Sequence, residues 1–288
     1  MNNLPKIGVV VLNYRTYNDT IECVESLKRQ TYNNKEIIIV ENGSGNSSEK
    51  VLKEKYNNDP QITLLLSKEN LGFAKGNNIG IKYAKEKLNC DYVFVLNSDT
   101  IVPDGVFCEI IKVPCEKIGV ISPKVADPEG NLLSPSENSN DIYRRIKYSR
   151  KIYYIGRFLS LPIINKLYAW HLSGKPKSDD RDTGVYGKYV LHGCAYFLTP
   201  SFFKYYTCLY PNTFLYWEEL NLLVYLEKVG LYSVVADTPP ILHKVSGSVN
   251  SFMKDKSKSK IKFSNQSYHN SKKMFKMSYE EIKTKFDV

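Results

Sequence analysis

The chain has 288 residues, a formal net charge of +10, and 42% hydrophobic and 24% charged residues. That length carries one large α/β domain or two small ones with a sizeable core, and the composition is that of an ordinary soluble protein. No apolar run approaches the roughly 18 residues of a membrane span, and the six cysteines (Cys23, Cys90, Cys108, Cys115, Cys194, Cys208) show no CxxC pair and no metal-like spacing, as expected of reduced thiols in a cytosolic protein.

The N-terminal apolar run is too short for a signal peptide and predicts a first strand, Ile7 to Leu12. Asn18-Asp19-Thr20 offers N-caps, with Glu22 three residues after Asp19 as in a capping box, and Ile21, Val24 and Leu27 give a helical stripe. Glu36 to Val40 is a second buried strand, followed by the loop Glu41-Asn42-Gly43-Ser44. A helix over Glu49 to Tyr56, a strand over Ile62 to Leu66, and a helix over Phe73 to Leu88 come next, the last with Ile79, Tyr83 and Leu88 inward. Asp91 to Leu96 is a fourth strand. Beyond it, Asp127 to Asn131 is a turn and Ser134 to Asp141 a polar loop. From about Tyr189, apolar runs surround "FLYWEELNLLVYLEKVG", a helix that Gly230 ends as a C′ residue.

Strands alternating with helices at this spacing predict a parallel sheet with right-handed crossovers, an α/β fold. Ligands of such sheets bind at the carboxyl ends of the strands. That rule gathers Asn13-Tyr14, Glu41-Asn42 and Asn97-Ser98-Asp99 into one neighbourhood. There is no GxGxxG after the first strand and no GxxxxGK[ST], which argues against dinucleotide redox and P-loop chemistry.

"VVVLNYRTYNDTIECVESLKRQTY", "IIIVENGSGNSS", "ENLGFAKGNNIGIKYA" and "YVFVLNSDTIVPDG" resemble the successive motifs of family 2 glycosyltransferases, nearest to the bacterial branch with rhamnosyltransferases of polysaccharide assembly. The resemblance resumes at "HGCAYFLTPSFF" and at "FLYWEELNLLVYLEKVGLYSVVADTPPILHKVSGS". It implies a GT-A fold, a Rossmann-like, mostly parallel sheet with helices on both faces. It also implies transfer of one sugar from a nucleotide-sugar with inversion. The implied organisation is a nucleotide-sugar-binding half (1–126), a basic aromatic-rich insertion (127–189), an acceptor and catalytic-base half (190–250) and a Lys/Ser-rich tail (251–288).

The resemblance also implies roles. A divalent metal, Mn²⁺ or Mg²⁺, neutralises the leaving diphosphate and takes oxygen ligands. The family's Asp-x-Asp motif corresponds to Asn97-Ser98-Asp99. Asp99 is the metal-facing residue, and Asn97 keeps hydrogen-bonding capacity toward a ribose. Asn13 and Tyr14 at the first strand end, and Glu41 and Asn42 at the second, are placed to receive the base. Tyr14 would stack on a pyrimidine, and Glu41, an Asp in most of the family, would accept from it. Asn70, Gly72, Lys75 and Asn77 match the Asn-x-Gly-Phe loop, where the glycine permits close backbone approach to a ligand. Lys75 is either a phosphate contact or an exposed helix lysine. The acceptor hydroxyl needs a base. Glu219 aligns with it, Glu218 is the alternative, and Asn221 removes a further carboxylate. His243 matches a histidine that completes the metal site. His192 and Gly193 line the acceptor side, where Trp217 stacks on a sugar or serves the core.

Two basic segments stand out. Arg144 to Lys177 has no acidic residue, and Lys254 to Lys276 has only Asp255. Arg144 to Trp170 interleaves these charges with aromatics, which suits an anionic membrane surface on the cytoplasmic face. That would suit a glycan or lipid-diphosphate-linked oligosaccharide acceptor. No nucleic-acid motif accompanies the charge. The tail reads as a mobile end or an electrostatic anchor. The donor expectation is a dTDP- or UDP-linked sugar, with rhamnose suggested by the branch. The competing class is a catalytically impaired scaffold or sugar-binding subunit, motivated by the departures at Glu41, Asn97, Glu219 and Asn221. All four remain polar, which favours the enzyme.

Overall fold

The computed structural model describes residues 4–134, 137–138, 189–244 and 256–288. The first half runs β1 (Ile7–Asn13), α1 (Tyr17–Lys28), β2 (Lys35–Asn42), α2 (Ser48–Tyr56), β3 (Ile62–Ser67), α3 (Gly72–Glu86), β4 (Tyr92–Asn97), β5 (Thr100–Ile101), α4 (Val106–Ile110), β6 (Ile118–Ser122) and β7 (Val125–Ala126). Then follow β8 (Glu137–Asn138), β9 (Tyr189–Val190), β10 (Ala195–Leu198), α5 (Glu218–Lys228), β11 (Tyr232–Val235), β12 (Ile241–His243), α6 (Lys256–Met274) and α7 (Tyr279–Phe286). Among the described residues no helix is long and apolar enough to cross a membrane. The expected polar loop and the basic aromatic stretch Arg144 to Trp170 lie almost wholly outside the described residues.

Seven strands form the main sheet in the order β11-β6-β10-β4-β1-β2-β3. The central β1, β2 and β4 are buried on both faces, so their sequences are nearly continuous apolar runs. β1 is parallel to both neighbours, with Asn13 opposite Glu41 and Leu12 opposite Asn97. β10 runs antiparallel to β4 and β6. A small sheet, β5-β12-β7, lies beside it. One face of the main sheet packs Val9, Val11, Ile37 and Ile39 against residues of α1, α2 and α4. There Phe94 and Phe197 stack at 3.9 Å with Phe107 edge-on to both. The opposite face packs Val10, Ile38, Val93 and Val95 against residues of α3, α5 and the two C-terminal helices.

The structure revises three expectations. Glu41 and Asn42 are the last two residues of β2 rather than a loop. Asp19 and Glu22 form no capping box; α1 has no side-chain cap, and both carboxylates instead hold the Lys244 ammonium. The described part of the tail, residues 256–288, is folded against the domain. It carries two helices that bury Tyr268, Met274, Ile282 and Val288, and α7 begins with a capping box between Ser278 and Glu281. As expected, Ile79, Tyr83 and Leu88 pack against the core on the α3 face of the sheet, each partly buried.

Small residues four apart, Gly76, Gly80 and Ala84, mark the face of α3 turned to the sheet, because four residues return to the same side of a helix. A Cβ at Gly80 would stand 2.4 Å from Val10 Cγ1, and one at Gly76 2.7 Å from Leu12 Cδ1. The missing side chains let the helix axis approach the strands closely. At an ordinary helix position Gly→Ala gains roughly 1 kcal/mol. Gly80→Ala is expected instead to cost about 1–3 kcal/mol through overpacking. Urea unfolding measures this, and a more stable variant would contradict the close approach.

Candidate active site

The carboxyl ends of β1 and β2 are tied by polar side chains. Asn13 is fully buried; its amide accepts from Thr20 Oγ1 at 2.8 Å and donates to Ser44 Oγ at 3.3 Å. Glu41 is also buried, and its two oxygens accept from the Ser44 backbone N–H at 2.9 and 3.3 Å. Glu41 therefore shapes the turn after β2 with a carboxylate that has remaining lone pairs. Arg15, which the sequence did not single out, has φ of +64° and donates from Nε to the Ser44 carbonyl at 3.0 Å. Its guanidinium lies 5.3 Å from the centre of the half-buried Tyr14 ring. A left-handed arginine on this edge is a costly conformation of the kind found at functional sites.

The Asn-x-Gly-Phe residues are arranged around Asn42. Its amide donates to Asn70 Oδ1 at 3.1 Å and to the Gly72 carbonyl at 3.2 Å, and accepts from Leu71 N–H at 3.1 Å. Gly72 has φ of +79°, and a Cβ there would sit 2.3 Å from the Phe214 carbonyl oxygen. The close approach that this glycine permits is thus to the backbone of Phe214, whose carbonyl accepts from Phe73 N–H at 2.8 Å. Asn77 is buried and donates to the Phe73 carbonyl. Lys75 is exposed on α3.

At the end of β4, Asn97 closes the strand, and its backbone N–H donates to the Cys194 carbonyl at 2.8 Å. Ser98 Oγ is 3.2 Å from Thr16 Oγ1. Asp99 is 4% exposed, and its Oδ1 lies 3.3 Å from His243 Nε2. The pairing of β12 with β5 sets His243 opposite Thr100. The next residue is fastened as well: Lys244 N–H donates to the Asp99 carbonyl at 2.9 Å while its ammonium reaches Asp19 and Glu22.

His192 and Cys194 arrive at the same place. Because β10 runs antiparallel, the residues before it lie at the carboxyl end of β4. The ring centres of His192 and His243 are 5.2 Å apart. One ligand atom from each of His192, Cys194 and His243 lies within 4.8 Å of the others. Burial, and then His243, push the His192 imidazole down to about 4, so it is neutral at pH 7. Burial raises the Cys194 thiol well above its usual range, and the carboxylates of Asp99 and Glu219 add to this. The sequence reading passed over Cys194 for want of a CxxC pair. The available signal was the His-x-Cys spacing, since side chains two apart in an extended segment share a side.

The two glutamates begin α5 and diverge. A Cβ on Gly193 would stand 2.2 Å from Glu219 Oε1, so Glu219 packs directly over the glycine that joins His192 to Cys194. Glu218 turns into a small cavity lined by Ala74, Leu209, Tyr210, Asn221, Leu222 and Tyr225. Its Oε1, the Asn221 amide and the Tyr225 hydroxyl are buried there without hydrogen-bond partners among the described residues. The backbone before them is strained: Tyr216 and Trp217 have φ of +71° and +78°. Such residues cost of order 1–3 kcal/mol each and persist when surroundings hold them. Here α6 does so. Trp217 Nε1–H donates to Ser264 Oγ at 3.1 Å, its ring lies against Tyr268 and Phe275, and Ser267 Oγ donates to the Leu215 carbonyl.

Burial, and then Glu219, push the Glu218 carboxyl up to about 8. The folded chain keeps this proton at pH values where the unfolded chain has lost it, so stability falls as pH rises from the ordinary carboxylate range, about 4.3, toward 8. Glu218→Gln mimics the neutral acid. It is expected to match the parent near the low end of that window and to exceed it at the high end by more than about 1 kcal/mol, since each unit of pKa displacement is worth about 1.4 kcal/mol. Urea unfolding across the window reads this; a pH-independent difference would refute it.

The alternating β and α elements, the antiparallel insertion of β10 and the carboxylate at the end of β4 define a GT-A fold. Solved glycosyltransferase structures share it. The mannosyltransferase PcManGT from Pyrobaculum calidifontis, in complex with GDP-Man and Mn²⁺, superposes with a TM-score of 0.57 at 12% identity, covering 86% of this chain and 59% of that one. Residues 1–349 of S. aureus TarS give a TM-score of 0.54 at 14% identity, covering 96% and 76%.

The family model for glycosyl transferase family 2 matches residues 8–170, more than half of the sequence. The chain belongs to that family. Among curated relatives, the glycosyltransferase GlyG of Streptococcus pneumoniae is 35% identical over 99 residues, 34% of this chain and 32% of GlyG. GlyA of the same organism is 30% identical over 151 residues, 51% of this chain and 20% of GlyA. The chain thus matches a third or less of the length of these two relatives.

Proposed function

We propose that this chain transfers a sugar from a nucleoside-diphosphate sugar to an acceptor hydroxyl, with inversion at the anomeric carbon. The observation that carries the reading is the convergence at one sheet edge of the Asp99–His243 pair, 3.3 Å apart, and of Glu219 seated over Gly193. A carboxylate beside an imidazole suits a divalent cation, and His243 Nδ1 is a buried nitrogen with no hydrogen-bond partner among the described residues. Asp99 and His243 would hold Mn²⁺ or Mg²⁺, which when bound supplies positive charge against the leaving diphosphate. Glu219 would take the proton of the attacking hydroxyl. Burial and the neighbouring Glu219 raise the Glu218 carboxyl, which favours its protonated form and leaves Glu219 as the proposed base.

Tyr14 and Glu41 would receive the base, with Arg15 beside them as a cation for the donor. Asn97 and Ser98 would approach the ribose. Asn42, Asn70 and Asn77 would act by shaping the loop that Gly72 closes. A dTDP- or UDP-linked donor, rhamnose among the sugars, fits a pyrimidine site, and GDP is a further candidate because PcManGT is described with GDP-Man. The acceptor would be a glycan, carried on a lipid diphosphate at the cytoplasmic membrane face, in keeping with the basic segment Arg144 to Lys177.

Calorimetric titration with dTDP, UDP, GDP and CDP, each with and without Mn²⁺, is expected to give tight metal-dependent binding of one nucleotide. Binding of none would favour the scaffold reading. Asp99→Ala is expected to remove the metal dependence and release of nucleotide from the sugar donor. Glu219→Gln should keep donor binding and lose transfer by roughly 10²–10⁴-fold. If Glu218→Gln has that effect instead, the two glutamates exchange roles.

A further inference from the structure

The metal site proposed above uses Asp99 and His243, an oxygen and a nitrogen donor. Two more donors stand beside them for which that reading has no use. His192 is packed edge-on to His243 with ring centres 5.2 Å apart. Cys194 follows two residues later and is 1% exposed. The ligand atoms of His192, Cys194 and His243 all fall within 4.8 Å of one another. Four-coordinate Zn²⁺, with bonds of about 2.0–2.3 Å to nitrogen and sulfur, needs its ligand atoms roughly 3.3–3.8 Å apart. Small side-chain rotations close that gap.

Three features argue that the grouping is a site rather than a coincidence of packing. The His243 ring has Nε2 engaged by Asp99 while Nδ1 is buried without a hydrogen-bond partner among the described residues. Buried polar atoms in native proteins are nearly always paired, so this nitrogen is available to a ligand. His192 Nδ1 accepts from the Cys194 backbone N–H at 3.4 Å, which orients the ring and leaves Nε2 to face other groups. The elements are also held: Lys244 is clamped by Asp19 and Glu22 on one side of His243, and Cys194 is pinned by its carbonyl to Asn97. Hard ions such as Mg²⁺ choose oxygen, whereas imidazole and thiolate suit Zn²⁺ and its neighbours.

We infer that His192, Cys194 and His243, with Asp99 adjoining them, form a nitrogen- and sulfur-rich metal centre selective for Zn²⁺-class ions over Mg²⁺. The inference rests on the donor-site reading and narrows it, putting a Zn²⁺-class ion in place of Mg²⁺ at that same strand-end site. The Cys194 ligand is its thiolate, so binding releases one proton to solvent as the sulfur–metal bond forms. No electron is transferred.

The test is a titration of the metal-free full chain with Co²⁺ alone, a coloured substitute for Zn²⁺. The expected result is a near-ultraviolet thiolate-to-cobalt band together with intense visible bands of a four-coordinate ion. Zn²⁺ at one equivalent should abolish both, and Mg²⁺ in thousandfold excess should abolish neither. Cys194→Ser and Cys194→Ala should lose the near-ultraviolet band, and His192→Gln should weaken Co²⁺ binding tenfold or more, the usual scale for a lost metal-site partner. The wild-type spectrum decides the matter even if a variant fails to fold. Absence of Co²⁺ binding, binding without a thiolate band, or displacement by Mg²⁺ would each overturn the inference. The titration contains no nucleotide. A chain that shows the thiolate band but binds no nucleoside diphosphate keeps this centre and loses the proposed transferase reading. A chain that binds nucleotide with Mn²⁺ and shows no thiolate band does the reverse.

Discussion

The site depends on one pairing, that of β10 with β4. A strand running parallel to β4 would carry its polar N-terminal flank to the opposite end of the sheet. Because β10 is antiparallel, its register sets Ala195 against Leu96, and the Cys194 carbonyl takes the Asn97 N–H. His192, Gly193 and Cys194 are thereby delivered to the edge where β1, β2 and β4 end. Gly193 in turn leaves the space that the Glu219 carboxylate fills. His192, Cys194, Glu219 and the strand-end residues therefore share one geometric cause. The stacked Phe94 and Phe197 rings, 3.9 Å apart within the same pairing, anchor it in the apolar core.

Around that edge the protein spends polar side chains on holding other residues. Asn13, Glu41 and Ser44 lock the turn after β2, and Asn42 binds the approach to α3. The bare glycine face of α3 brings this loop down on the strands, and Gly72 lets it meet the backbone of Phe214. Such buried hydrogen bonds add little net stability each, but leaving them unmade is costly, so they define a single arrangement. The edge is consequently shaped before any ligand arrives.

The acid pair illustrates how environment separates identical groups. Glu218 and Glu219 are adjacent in sequence, yet Glu218 turns toward Ala74, Leu209 and Tyr225, where burial raises its carboxyl, while Glu219 packs at the glycine beside the histidines. The left-handed backbone at Tyr216 and Trp217 sends them apart, and the C-terminal helix α6 clamps that strained turn through Trp217. The lysine-rich tail is thus a structural element of the site, because it carries Ser264, Ser267 and Tyr268 on one side of a helix otherwise studded with lysines.

Much of the frame was legible from residues close together in the chain. The β-branched runs marked β1, β2 and β4, the change to helical spacing marked α1 and α3, and the strand-end rule grouped Tyr14, Glu41 and Asp99. Those are local signals, since strand and helix periodicity arise from neighbours within a few residues. Long-range partners were not legible. Asp19 and Glu22 have the spacing of a helix cap, and only folding shows them gripping Lys244, more than 220 residues away. Cys194 lacks any cysteine motif, and it joins two histidines only through strand pairing. The sequence alone determined which strand ends bear polar chemistry, because that is written in composition and period. Which of those groups face each other, and what surrounds each of two adjacent glutamates, was decided by the tertiary structure, because proximity and desolvation are properties of the packed chain.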